Sequence, residues 1–120
     1  MGAYPRERTV WSRRLTAVKR ALRELAARAH EEDLRRALVP VAAAFDRWRA
    51  GDLGSGDLAQ ILHEFHDGPA RELFKLYNGN HAWAVAHAIV RGVINRTTVP
   101  ADVLEHCRGV IELMSEREDE

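Results

Sequence analysis

The apolar side chains of this chain recur with the period of a helix, and that constrains the fold more than any other feature. Trp11, Leu15, Val18, Leu22, Leu25 and Ala29 are spaced 4, 3, 4, 3, 4. Leu34, Leu38, Val41, Phe45 and Trp48 continue at 4, 3, 4, 3. Leu58, Ile61, Leu62 and Phe65 follow at i, i+3, i+4 and i+7, as do Ala70, Leu73, Phe74 and Tyr77. Residues three and four apart share one face of a helix, whereas a strand needs strict alternation. Each segment therefore carries an apolar stripe that another rod must cover.

Only residues 82–88 hint at a strand, through alternating Ala82, Ala84, Ala86 and Ala88. Alanine is the best helix former and a poor strand former. The segment reads as a buried central helix whose small side chains let neighbours come close. Pro100 opens a last helix carrying Val103, Leu104, Cys107, Val110, Ile111 and Met114. The expected fold is all-α: one domain over 1–120, a bundle of about five or six largely antiparallel helices.

Boundaries follow from local chemistry. Residues 1–8, with Gly2, Pro5 and alternating charges, read as a flexible arm, and Thr9 as the cap of the first helix. The polar run His30-Glu31-Glu32-Asp33 reads as a turn. An unbroken helix over 9–50 would be about 60 Å long, too long for a compact monomer; only a dimer favours it. Pro40 predicts a kink. Gly51 supplies a left-handed helix terminus, and Gly51 to Gly56 is the clearest loop. Gly68-Pro69 reads as a helix break, since the residue before a proline prefers an extended backbone. Asn78-Gly79-Asn80 and Arg96-Thr97-Thr98 read as connectors, and the acidic tail 115–120 as frayed.

Charge is balanced overall and uneven along the chain. Residues 1–30 hold eight Lys/Arg and two acids, a balance of +6; residues 112–120 hold five acids and Arg117, a balance of −4. Opposite ends of this kind attract within a chain or between two. Arginine outnumbers lysine 16 to 2, a bias that tempers any reading of the arginines as nucleic-acid contacts. The single cysteine, Cys107, excludes an internal disulfide and suits a reducing, cytoplasmic setting. No charged-then-apolar leader opens the sequence, and the apolar run 82–94 is interrupted by His87, Arg91 and Gly92. No membrane association is expected.

One stretch concentrates ligand-type and acid/base side chains: His63, Glu64, His66 and Asp67. On a helix His63, His66 and Asp67 are neighbours. With Leu58 as origin, His66 falls about 80° round, at the stripe's edge, and His63 and Asp67 about 140° and 180° round. Two imidazoles and a carboxylate suit a divalent transition metal such as zinc. A further ligand is needed from His87, His106, Asp102, Glu105 or Cys107. The zinc-protease pattern is absent, because these histidines are three apart rather than four. The cluster also suits general acid/base chemistry, with Asp67 orienting an imidazole. No nucleophile lies nearby in sequence, and Gly54-Ser55-Gly56 lacks the lysine of a phosphate-binding loop. The structural alternative has His66 bonded to a backbone carbonyl and Asp67 capping a helix that begins at Pro69.

The remaining candidates read more simply. His81 and His87 flank Trp83 as core histidines, His106 pairs with Asp102 along a helix, and Cys107 is a small buried hydrophobe. Trp11, Leu15, Val18, Leu22 and Trp48 form the seam an interface would use. Arg13, Arg14 and Arg20 lie on the polar side of the first helix, where a phosphate backbone would dock, but no recognition-helix or zinc-finger signature accompanies them. The leading expectation is a non-enzymatic protein–protein interaction or regulatory module with no resident cofactor, whose partner is itself, as a homodimer. The alternatives are a metal- or histidine-dependent enzyme centred on His63, His66 and Asp67, and nucleic-acid binding through the basic first helix.

Overall fold

A first helix of 44 residues, α1 (Arg6–Arg49), runs the length of the molecule. The structure, a computed structural model, describes residues 6–118, with side chains described over 10–117. After α1 come α2 (Ser55–Phe65), a π-turn (His66–Ala70), α3 (Arg71–Tyr77), α4 (His81–Val90), a 3-10 turn (Arg96–Thr98) and α5 (Ala101–Glu118). Among the described residues there is no strand. Because α2, the π-turn and α3 are continuous, the described residues form four rods, not five or six.

Two expected breaks do not occur. The run His30 to Asp33 lies inside α1. It contains neither Gly nor Pro, glutamate is a good helix former, and polarity alone does not stop a helix. Those polar groups have partners elsewhere. The His30 ring stacks on Tyr77 at 5.3 Å and 17°, and Asp33 accepts a hydrogen bond from the Tyr77 hydroxyl at 2.8 Å. The length objection assumed compactness. The longest extent is 76 Å, and the radius of gyration is 19.8 Å where a compact chain of this size has about 14 Å. α1 also passes through Pro40 without ending.

The second break, at Gly68-Pro69, is absorbed by the π-turn. Proline offers no N–H and its ring opposes the carbonyl four residues back, here that of Phe65. Widening the ladder to i→i+5 relieves that opposition and keeps the rod whole. The flanking Phe65, His66, Ala70 and Arg71 all keep right-handed helical angles. Contacts at the ends of this rod set its direction. Trp48 Nε1 donates to Ser55 Oγ at 3.0 Å, and Tyr77 reaches Asp33. The rod therefore runs back along the second half of α1, burying Val41, Ala44 and Leu58.

The main core forms around the first half of α1. Leu22, Leu25 and Ala29 meet Ala84, Val85 and Ala88 of α4, with Val103, Cys107 and Ile111 of α5 in the same cluster. The alanines of α4 let its neighbours approach, since interaxial distance is set by the side chains at the contact. Glycines close both α1 and α4. Gly51 (φ +83) and Gly92 (φ +72) are left-handed. In each, the next residue's N–H bonds five residues back: Asp52 to Arg47 and Val93 to Ala88, both at 2.8 Å. This is the two-bond terminus that glycine permits.

The expected arm and tail fall partly outside the described residues. Of the arm, residues 6–8 lie in the first turn of α1; of the tail, residues 115–118 lie in α5. Residues 1–5 and 119–120 lie outside. Among the described residues no helix is long and apolar enough to cross a membrane.

Candidate functional site

The four residues of the histidine-rich stretch do not converge. His63 Nε2 and Asp67 Oδ2 are 3.1 Å apart, one turn along the rod. Both side chains are more than half exposed. Glu64 points to another neighbour and accepts from Gln60 at 3.1 Å. His66, in the π-turn, is exposed. Among the described residues, no group of three or more His, Cys, Asp or Glu side chains is placed to hold a metal ion. Asp67 caps neither the π-turn nor α3, neither of which has a side-chain cap bond. What remains is a solvated His–Asp pair.

The seam of α1 divides in two. Val18 and Leu22 are 7% and 3% exposed, inside the core. Trp11 and Leu15, on the same stripe, are 74% and 43% exposed, and Val10 beside them is exposed too. The stripe thus runs past the end of the body it packs against. Trp48, at the other end of α1, stays half exposed, makes an edge-on contact with Phe45 and donates to Ser55. Arg13, Arg14 and Arg20 are exposed. Arg13 and Arg20 flank a shallow groove floored by Ala17.

Two features escaped the sequence. Tyr77 is buried between α1 and α3, and its hydroxyl pKa is raised above the usual tyrosine value, first by burial and then by the Asp33 carboxylate that accepts its proton. An apolar-stripe position does not announce such a bond. The other is an opening of about 460 Å³ between α1, α4 and α5, lined by Lys19, Leu22, Arg23, His81, Ala82 and His106. The Lys19/Arg23 spacing of one helical turn was visible in sequence; the approach of two histidines from other helices was not. His106 therefore faces α1 instead of pairing with Asp102, whose carboxylate accepts from the Val103 N–H at 2.9 Å.

The same contacts orient α5. His106 lies by Lys19 and Arg23, whereas Thr98, just before α5, lies by Ala27 and Arg28. α5 thus advances toward the start of α1, and the basic head and the acidic stretch point to the same end of the molecule. Cys107 is buried, its Sγ 3.8 Å from the Ala82 carbonyl oxygen, and burial pushes its thiol pKa up. A thiol held protonated is not a ready nucleophile. His87 is partly buried, and its Nδ1 has no hydrogen-bond partner. No family model, curated protein or solved structure matches this chain.

Proposed function

We propose that this protein is a self-associating helical interaction module that works through the first turns of α1. One observation carries the reading: the stripe that buries Val18 and Leu22 continues into Trp11 and Leu15, which are 74% and 43% exposed among the described residues. An uncovered apolar stripe in register with a packed one fits a partner surface. Tryptophan is the side chain most enriched at the energetic centre of interfaces. The extended shape supports it as well, since a 76 Å molecule presents a long α1 to a second copy. A stable interface buries about 1,200–2,000 Å² in total, while one aromatic buries about 150–250 Å². The whole exposed head of α1 is therefore engaged, with Trp11 as its anchor.

A two-fold dimer brings two such ends together, and each basic head then lies near the other copy's acidic stretch. A cytoplasmic setting suits the lone reduced cysteine. Sedimentation velocity over a range reaching high micromolar concentration tests the proposal. The expected result is a concentration-dependent dimer that Trp11→Ala abolishes. A monomer throughout the range sinks it.

The enzyme and metal reading keeps one supporting observation, the His63–Asp67 pair, which lies open to water and belongs to no group of three ligand side chains among the described residues. The nucleic-acid reading keeps the exposed Arg13, Arg14 and Arg20. Neither has a converging site of the kind its chemistry needs.

A further inference from the structure

We infer that the opening between α1, α4 and α5 binds a small phosphate-bearing anion. Four basic side chains line the opening from three helices, Lys19 and Arg23 from α1, His81 from α4 and His106 from α5, with Asn80 beside them. Leu22 and Ala82 are its apolar lining, and among the described residues no carboxylate lines it. Its volume, about 460 Å³, falls in the range of small-molecule sites, about 300–1,000 Å³.

Basic side chains from three different helices share this opening. Three exposed arginines have a carboxylate one turn away: Arg36 with Glu32 at 2.9 Å, Arg49 with Asp46 at 3.0 Å, and Arg108 with Glu105 at 3.4 Å. Among the described residues, Lys19, Arg23, His81 and His106 have no hydrogen-bond or ion-pair partner. Lys19 and Arg23 are like charges at i and i+4, a pairing that destabilises a helix by a few tenths of a kcal/mol. A bound anion reverses that repulsion. The larger opening beside residues 93–98 differs in this respect, because Glu31 and Glu32 line it together with Arg28.

The donor geometry selects the anion. A carboxylate is planar and takes a fork from one side, whereas donors arriving from three helices suit the three-dimensional oxygen array of a phosphate. Arginine offers a planar fork for phosphate oxygens, lysine a point charge, and an imidazole retains an N–H donor in either charge state. The opening accepts a compact phosphomonoester or pyrophosphate group.

Calorimetric titration of the full chain with inorganic pyrophosphate tests this. Saturable one-site binding is expected. Lys19→Ala and Arg23→Ala should each weaken it about tenfold or more, the loss of one charge-assisted hydrogen bond. Arg13→Ala with Arg14→Ala should leave it unchanged, since neither lines the opening. Lys19 and Arg23 are exposed, so both variants should keep the parent's helical circular dichroism. The inference is independent of self-association and is read on dimer or monomer alike. It is overturned by the absence of saturable binding, or by wild-type affinity in Lys19→Ala and Arg23→Ala. Tighter binding of a single-stranded oligonucleotide, lost with Arg13 and Arg14, also overturns it, because phosphates are then read along α1 as a polymer.

Discussion

The Tyr77 hydroxyl donates to the Asp33 carboxylate at 2.8 Å across 44 positions of sequence, and this bond fastens the end of the α2–α3 rod to the middle of α1. The ring packs as well, stacked on His30. Residues that look like a turn in sequence are thus the dock for a second rod. That dock gives a polar run a reason to stay helical.

Tyr77→Phe keeps the ring and removes the bond. A hydrogen bond to a charged group contributes about 1.5–3 kcal/mol, and because Asp33 is only half-buried the expected cost is at the low end. Urea unfolding of the two proteins measures it. An unchanged midpoint would mean that stacking alone holds the rod.

The same residue predicts an alkaline weakness. The folded state holds the Tyr77 proton more tightly than the unfolded state, whose tyrosine titrates near pH ~10. As pH rises past that value the unfolded chain loses the proton first, so it binds fewer protons and folding stability falls. The contribution is fully present below about pH 10 and is lost above it. Thermal melts between neutral and strongly alkaline pH should show a steeper decline in the wild type than in Tyr77→Phe.

The α1 stripe should answer mutation in two ways. Leu22→Ala, in the core, should cost about 2–5 kcal/mol. Trp11→Ala, at an exposed position, should change monomer stability by less than about 0.5 kcal/mol while removing the proposed dimer. Chemical denaturation at low concentration, paired with sedimentation at high concentration, separates the two effects. A large stability loss from Trp11→Ala in the monomer would place that side chain in the fold instead of at an interface.

Gly92→Ala should destabilise by about 1–2 kcal/mol, the cost of a left-handed backbone for a residue with a side chain. Beyond the residue and its chain neighbours no atom lies within 4 Å of the added carbon, so the cost is local backbone strain and not a clash with the packed core. Gly56→Ala is a matched control, since its backbone is not left-handed and the added carbon also meets open space. Equal effects in the two would remove the left-handed terminus as the cause.

His63→Ala should leave stability within about 0.5 kcal/mol of wild type, because an exposed pair contributes about 0–1 kcal/mol and salt screens it. A larger loss, seen as a drop in melting temperature, would mean that the pair is tied to a partner or ion that shields it from water.

Much of the fold was legible in sequence. The stripe spacing specified helices throughout, the alanines of 82–88 resolved against a strand, and Gly51 marked the end of α1 by its chemistry. The misses have physical causes. His30 to Asp33 reads as a turn only if its polar groups have no partners, and Tyr77 supplies them from 44 positions away. Gly68-Pro69 reads as a break only if the helix must keep its i→i+4 ladder, and a π-turn relaxes that requirement. Gly92 looked like an interruption of an apolar run and is the left-handed close of α4. The His63–Asp67 neighbour relation was legible because it lies within one helix; the opening lined by Lys19, Arg23, His81 and His106 was not, because it needs three.

By itself, then, the order of residues determined which stretches are helical and which face of each is apolar, since both depend on side chains three and four positions apart. Only the tertiary structure decided that α1 stays whole, that Trp11 and Leu15 run out beyond the packed body, and that basic groups from three helices share one opening. Those outcomes depend on which distant surfaces meet, and a local repeat carries no record of its partner.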